Sequence, residues 1–397
     1  MRLGVAATVL QTAALLLSMN AGAGGPRGNL ALDVAAYPDA PLFGDQNDSR
    51  LQPSLSASID WTARLSRDLR FDFSANGRVN PYARDRLFGD IRESLLRFRV
   101  AGTDFKAGVV QENWSVLEAW NPVDIVNQRD LVEDYQGDAK LGQPGVTATT
   151  RYSDWVLSAL VLPYSRERRI AEGEDRLRNL PVPVRDTEFE AGQGRSGVAL
   201  RGQHRLGDFD LALSYFDGHA REPIYRPVTG PEGLVGFDEV YERIAQTGVE
   251  LSYVIGDSVL KGEVIYRSAD SDDFAGAGIG SETTFNQLTD GFDSITLYLE
   301  GYYDGRGDQA ALTPFQRDIY IGARYNRNDV YDSLLDVRLT HDLEFHSNLV
   351  DIRASRRIGR QQTLELQLLA PLSVDGDRAL QGYENDQRAR LSWAWYF

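Results

Sequence analysis

The sequence predicts an all-β protein: a transmembrane, antiparallel, up-and-down β-barrel of about 18 strands with its third outer loop folded inward. Three observations carry this. The chain ends in Ala-Arg-Leu-Ser-Trp-Ala-Trp-Tyr-Phe, from Ala389 to Phe397. There Leu391, Trp393, Trp395 and Phe397 share one row at period two, while Arg388, Arg390 and Ser392 share the other. Successive side chains of a strand point to opposite faces, so one face is apolar and aromatic and the other is polar. A soluble protein rarely leaves such an aromatic edge unprotected, whereas a bilayer barrel needs lipid-facing apolar residues, an aromatic girdle and a polar lumen. Second, similar alternating runs recur along the whole chain. Third, no internal stretch reaches the ~18 consecutive apolar residues of a spanning helix.

Taken in order, period-two runs bounded by turn residues cover 29–36, 53–63, 69–78, 91–100, 103–111, 144–152, 155–162, 196–204, 208–217, 246–255, 258–268, 294–303, 317–326, 331–340, 348–357, 361–370 and 387–397. Bacterial barrels have even strand numbers, short periplasmic turns and long outer loops. Short turns counted from the N-terminus (66–68, 101–102, 153–154, 206–207, 256–257) disagree in parity with those counted back from Phe397 (358–360, 327–329). One more strand between Ser268 and Ser294 restores agreement. The candidate is 282–289, turning at Asp290-Gly291, although its alternation is weak. Nine outer loops then span 37–52, 79–90, 112–143, 163–195, 218–245, 269–281, 304–316, 341–347 and 371–386.

The N-terminus reads as a secretory signal: Arg2, then a mostly apolar run, then Ala21-Gly22-Ala23. The expected division is a cleaved signal at 1–23 and a barrel at 24–397. The 397 residues include no Cys, which removes disulfides, thiol nucleophiles and Cys-bound metals. A net charge of -16 gives no electrostatic reason to bind nucleic acid. The slightly negative mean hydropathy is a poor test of solubility here, because alternating strands average out.

With Phe397 set toward lipid, the inward rows carry Arg70, Arg97, Arg99, Lys106, Arg151, Arg201, Lys261, Arg267, Arg324, Arg338, Arg353 and Arg390, with Glu263 and Glu300 among the acids. A charge facing lipid at mid-bilayer costs ~2–4 kcal/mol, so these groups face water or one another. Two readings follow: salt bridges between neighbouring strands, or a cationic path that favours anions.

The third outer loop is too apolar for a solvated surface, with Trp114, Leu117, Trp120, Val123, Ile125 and Val126 close together. Asn121-Pro122-x-Asp124 predicts a short helix start. An inward fold would make Trp114, Trp120, Asn121, Pro122, Asp124, Asn127, Arg129 and Asp130 a pore constriction. A lid on the rim or a contact between subunits would cover the same residues differently.

The segment Trp120-Asn-Pro-Val-Asp-Ile-Val-Asn-Gln-Arg-Asp130, with Leu260 to Arg267 and Ser355 to Gly359, resembles a poorly characterised group of Gram-negative outer-membrane porin-like barrels. The strand number and Arg-bearing lumen are more distantly similar to alginate-export and outer-membrane carboxylate channels. The terminal Phe also resembles the C-terminal signal of such barrels. The resemblance implies a passive or gated channel for small polar or anionic solutes in the outer membrane. It implies contact with lipid and lipopolysaccharide, and with the barrel-assembly machinery through Trp393, Trp395 and Phe397. A closed adhesion barrel acting through its loops is the alternative, and an outer-membrane hydrolase a weaker one. His341, Asp342 and His346 form the nearest cluster, without Gly-x-Ser-x-Gly or His-Glu-x-x-His. Neither enzyme activity nor a cofactor or metal is expected.

Overall fold

The computed structural model describes residues 25–289, 292–306, 313 and 315–397. The expected signal at 1–23 and the Asp290-Gly291 turn lie outside these residues.

Eighteen strands form one closed wall. They are β1 (Arg27–Ala36), β2 (Leu51–Arg64), β3 (Leu69–Val79), β4 (Leu87–Val100), β5 (Thr103–Val110), β6 (Gln143–Tyr152), β7 (Trp155–Leu162), β9 (Gly197–Leu206), β10 (Phe209–His219), β13 (Arg243–Ile255), β14 (Ser258–Ala269), β15 (Phe274–Asn286), β16 (Ser294–Asp304), β17 (Asp318–Asn326), β18 (Leu334–Asp342), β19 (Asn348–Arg357), β20 (Gln362–Leu372) and β21 (Arg388–Tyr396). Each pairs antiparallel with its neighbours, and β21 closes onto β1 with Trp393 opposite Leu32. Three further strands leave the wall: β8 (Val184–Phe189), β11 (Ile224–Gly230) and β12 (Gly233–Tyr241). They form a small sheet in which β12 pairs parallel with β8.

The outward rows are the apolar ones. Leu391, Trp393, Trp395 and Phe397 are exposed, as are Leu213, Tyr215, Val249, Leu251, Val264 and Tyr266. Their inward neighbours are buried or polar. Every expected strand exists, including the weak one, but β15 begins eight residues earlier than 282. The sixth outer loop is correspondingly short. The fourth and fifth outer loops, expected to be irregular, contain β8, β11 and β12.

Candidate functional site

The third outer loop folds into the lumen, and inward-pointing carboxylates hold it there. Glu263 on β14 is fully buried and accepts the N–H groups of Val116 (2.7 Å), Leu117 (3.4 Å) and Val123 (3.2 Å). Glu300 on β16 accepts those of Glu118 (2.9 Å) and Ala119 (3.1 Å). The Tyr302 hydroxyl accepts the N–H of Trp120 (3.2 Å) and donates to Glu300. A loop sent into a barrel has backbone donors that no strand satisfies, and an unmet buried donor costs ~1–3 kcal/mol. These two glutamates are therefore anchors for the loop rather than charges offered to a solute.

Apolar contact completes the attachment. Trp114, Val123, Ile125 and Val126 pack among Leu160, Leu162, Ala199, Phe216, Ile244 and Ile265 of the wall. Trp120 stacks on Phe315 at 6.0 Å and meets the edge of Tyr302 at 5.9 Å. Gly278 makes the close approach possible, because a Cβ there would overlap Leu117 and Tyr302.

The Asn-Pro-x-Asp segment makes a turn, not the expected helix. Asp124 N–H reaches Asn121 C=O (3.1 Å), but the Val123 N–H goes to Glu263. The carbonyls that a helix would use are taken by Arg221, which donates to Ile125 O (3.0 Å) and Val126 O (2.8 Å). Side chains from the wall and the fifth loop thus outcompete the local preference.

The expected constriction residues come together in this loop, in two roles. Trp120, Asn121, Pro122, Asp124 and Arg129 line a cavity of ≈ 740 Å³, measured with its opening. Trp114, Asn127 and Asp130 brace the loop instead. Asn127 is buried, accepts Glu112 N–H (2.8 Å) and donates to Val110 O (2.9 Å) and Leu141 O (3.0 Å). Asp130 pairs with Arg169 (3.0 Å), while Asp124 pairs with Arg129 (3.0 Å) and Lys140.

Most of the expected lumen cations are paired along the wall. Arg70 and Arg97 share Asp72, Arg324 and Arg338 share Asp336, and Arg353 meets Asp351 (2.7 Å). Arg201 meets Glu250 (2.5 Å), Lys106 meets Glu112 (3.0 Å), and Lys261 meets Glu282. Arg267 reaches Glu222 (3.3 Å) and Arg390 reaches Glu365 (3.5 Å). Arg99 is exposed and pairs with Asp104 (2.5 Å), and Arg151 is exposed without an ion pair among the described residues. Cross-strand pairing is thus the dominant state of these side chains.

Other arginines were hidden by the loops that carry them. The fourth outer loop runs across the mouth from β7 toward β1 and β21. Arg176 pairs with Asp386 (2.6 Å), both buried, and Gln46 donates to Arg176 O (2.8 Å). Arg178 pairs with Asp45 (2.6 Å) and Asn179 donates to Ala379 O (3.0 Å). Burial holds the Asp386 carboxyl up at about 6 despite Arg176. In the fifth loop, Arg221 is buried without a carboxylate partner among the described residues, and desolvation pulls it down to about 10. Beside it Glu222 is held down at about 2 by Arg306 and Arg267, which outweigh its burial. The run Arg166, Arg168, Arg169, Arg176, Arg178 is the sequence signal for this strap, interleaved with Glu167, Glu172, Glu174 and Asp175.

A second cavity of ≈ 850 Å³, also measured with its opening, lies between this strap, the third loop and strands β1 to β3 and β21. Arg78, Arg176, Arg388 and Arg390 line it beside Asp33 and Glu133. In each of the four arginines one buried guanidinium nitrogen has no acceptor among the described residues.

The histidines do not form a shared site. His341 Nδ1 meets Asn348 (3.0 Å), and its ring lies 6.3 Å from that of His346. His219 is buried; its Nε2 donates to Glu190 O (2.7 Å), so its Nδ1 accepts from Ser165 (2.8 Å). That pair staples two outer loops.

No family model and no curated protein matches the sequence. Solved structures do match in fold. A BenF-like porin from Pseudomonas fluorescens aligns over 95% of this chain and 99% of its own, with a TM-score of 0.53 and 10% identity. The outer membrane protein OpdK from Pseudomonas aeruginosa aligns over 94% and 98%, with a TM-score of 0.52 and 11% identity. OccK2 from the same organism, solved in complex with glucuronate, aligns over 95% and 98%, with a TM-score of 0.51 and 12% identity. With its apolar outer belt, its inward loop and its 18-stranded closed wall, the chain has the fold of the outer-membrane porins.

Proposed function

We propose that the protein is an outer-membrane channel for small anionic solutes, which pass along the arginine-lined side of the lumen. One observation carries this reading: Arg78, Arg176, Arg388 and Arg390 line one cavity, each with one guanidinium nitrogen that no acceptor among the described residues satisfies. Arg168 and Arg221, on the other cavity, are in the same condition. A buried donor without an acceptor favours any ligand that brings one, and an anion also offsets the cost of burying the cation. Glucuronate bound to OccK2 is an acid of the class this would suit. The reading includes export through a cleaved signal at 1–23, contact with lipopolysaccharide, and handover by the assembly machinery through Trp393, Trp395 and Phe397.

The test is reversal potential across a planar bilayer in a salt gradient. The refolded protein is expected to prefer anions. Arg388→Gln with Arg390→Gln should lower that preference by about twofold to fivefold, since ring charges set selectivity at close range. A cation-selective wild type overturns the reading. A barrel kept shut, acting through its outer loops, is the second reading, and the buried Arg176–Asp386 pair across the mouth favours it. Silence from the wild type and from Arg176→Ala alike would establish it.

A further inference from the structure

Two buried arginines meet at the smaller cavity without a counter-charge. Arg168 in the fourth outer loop is 8% exposed and Arg221 in the fifth is 4% exposed, and both line the cavity that Trp120 also lines. Tyr241 links them: its hydroxyl accepts the Arg168 N–H (2.6 Å) and lies near enough to Arg221 to act on its charge. The Arg168 side chain makes no hydrogen bond and no ion pair among the described residues, and its Nε is fully buried. Arg221 gives Nε and one Nη to the carbonyls of Ile125 and Val126, which leaves its other Nη buried with no acceptor. The neighbouring Arg169 turns the other way, to Asp130 (3.0 Å) and the larger cavity.

The acids within the field of Arg168 are engaged elsewhere. Glu222 meets Arg267 (3.3 Å) and Arg306 (3.1 Å), and Glu239 accepts the Tyr241 hydroxyl (2.9 Å). The other charges around the cavity compensate one another. Asp304 pairs with Arg306 (2.6 Å), and Asp124 with Arg129 (3.0 Å) and Lys140. Asp138 lies within the field of those same two cations, Arg129 and Lys140. Arg168 and Arg221 are thus the two positive charges left over in one cavity.

A desolvated guanidinium with unmet donors is costly unless something pairs with it. Within the described protein nothing does, and a ligand bearing oxyanions would. We propose that Arg168 and Arg221 form a binding site for a small dianion, a phosphate or a dicarboxylate. The proposal rests on the anion-channel reading only for the route by which the ligand arrives. Charge sets the class: a monoanion leaves one guanidinium uncompensated, and a dianion matches both. The planar fork of an arginine takes carboxylate or phosphate oxygens in pairs, and Arg168 has its whole fork free to do so.

The test is isothermal titration calorimetry on the protein refolded in detergent, which needs no open channel. Succinate, inorganic phosphate and butyrate are titrated in slightly alkaline, chloride-free buffer. Succinate and butyrate share a carbon number and differ by one charge. Succinate or phosphate should bind at one site per chain, about tenfold or more tighter than butyrate, as a second charge-assisted contact provides. Binding of phosphate alone, or of succinate alone, supports the site and names its ligand. Arg168→Gln should weaken dianion binding about tenfold or more and melt at or above the wild type, because this side chain holds nothing in the fold. Arg168→Lys, which restores the charge without the fork, should recover part of the affinity. Arg205→Gln, an exposed change by the short turn between β9 and β10, should alter neither property.

The absence of dianion binding overturns the site, as does butyrate binding as tightly as succinate. Affinity that survives Arg168→Gln overturns it too. A melting temperature lowered by several degrees in Arg168→Gln would make the residue structural, with the same result. Reversal potential, read alongside, separates this site from the channel reading. A cation-selective protein that binds succinate through Arg168 keeps the site and loses the channel reading, and an anion-selective protein that binds no dianion does the reverse.

Discussion

The two halves of the barrel wall present different chemistry to the interior. From β7 through β17 the inward rows carry Leu160, Leu162, Phe216, Ile244, Ile265, Tyr302 and Tyr320, all buried, interleaved with charged groups such as Arg201, Glu250, Glu263 and Glu300 that pair with one another or with the loop. From β18 through β21 and on through β5 they carry Asp336, Arg338, Asp351, Arg353, Arg388, Arg390, Asp33, Arg78, Asp72 and Arg97. The third loop lies against the first half and turns its apolar side chains to it. The cavity lined by Arg78, Arg176, Arg388 and Arg390 lies against the second. An inward loop cannot be solvated on every side, and its apolar side chains are covered by this half. The larger of the two cavities opens along the charged half, and the other lies beside the docked loop. The porin fold alone does not dictate this division; the side chains on the two arcs do.

The largest break in this comparison comes from Glu263. Glu263→Ala leaves the N–H groups of Val116, Leu117 and Val123 buried without an acceptor, a loss of about 3–6 kcal/mol for the docked loop. The loop should detach from the apolar half. Conductance should then rise, and amides of residues 114–126 should lose protection in hydrogen exchange. Unchanged exchange with unchanged conductance would mean that apolar packing alone holds the loop. Glu263→Gln retains an acceptor oxygen and should lie between the two.

A smaller effect is expected from pH, and it acts on the outer mouth rather than on the wall. With the strap docked, Asp386 of the ninth loop is held at about 6 by burial, against an ordinary value of 3.8. Burial likewise holds Glu239, in the small loop sheet, at about 7. A docked form that keeps its proton more tightly than the released form gains from acid. The advantage is full below the ordinary carboxylate range and is lost as pH rises through the raised values. For Asp386 it amounts to about 3 kcal/mol at most. Acidification from pH 8 to pH 5 should therefore favour the closed strap and lower conductance. Asp386→Asn should flatten much of that profile. Conductance that rises on acidification would show that the strap does not control the mouth.

The wall was legible because lipid imposes a rule on every strand. An outward row must be apolar over its whole length, and the period-two signal in β10 or β21 follows directly. Within β15 the same rule is hard to see, since its inward row includes Gly276, Gly278 and Gly280 and its outward row includes Ala275 and Ala277. Gly276 and Gly278 make room for Trp120 and Leu117 of the third loop, a reason that lies about 150 residues away in the chain, and Gly280 makes room for Glu300. The pairing of β8 with β12 was equally hidden: a parallel contact between distant segments leaves no local turn to mark it. The inward face of each arginine could be read from spacing. Its partner could not, because Arg201 with Glu250 or Arg176 with Asp386 depends on register and on loops. The helix expected at Asn121-Pro122 failed for a related reason. Local preference predicted it, and Glu263 and Arg221, distant in sequence, took its hydrogen bonds.

The finest test of the comparison is a pair of glycines on adjacent strands. Gly278 faces inward beneath Leu117 and Tyr302, where a side chain has no room. Gly262 on β14 neighbours the inward Glu263 and so faces lipid, where a Cβ would meet only Gly278 O at 3.8 Å. Gly278→Val overpacks the loop interface and should cost about 1–3 kcal/mol. Its signature should be local: weaker protection at Leu117 and noisier conductance, with the barrel intact. Gly262→Val adds a β-branched side chain where lipid accepts one, and should be neutral or stabilising by roughly 0.5 kcal/mol. If both variants behave alike, the glycine row does not serve the loop, and the apolar half is closed by its aromatic side chains instead.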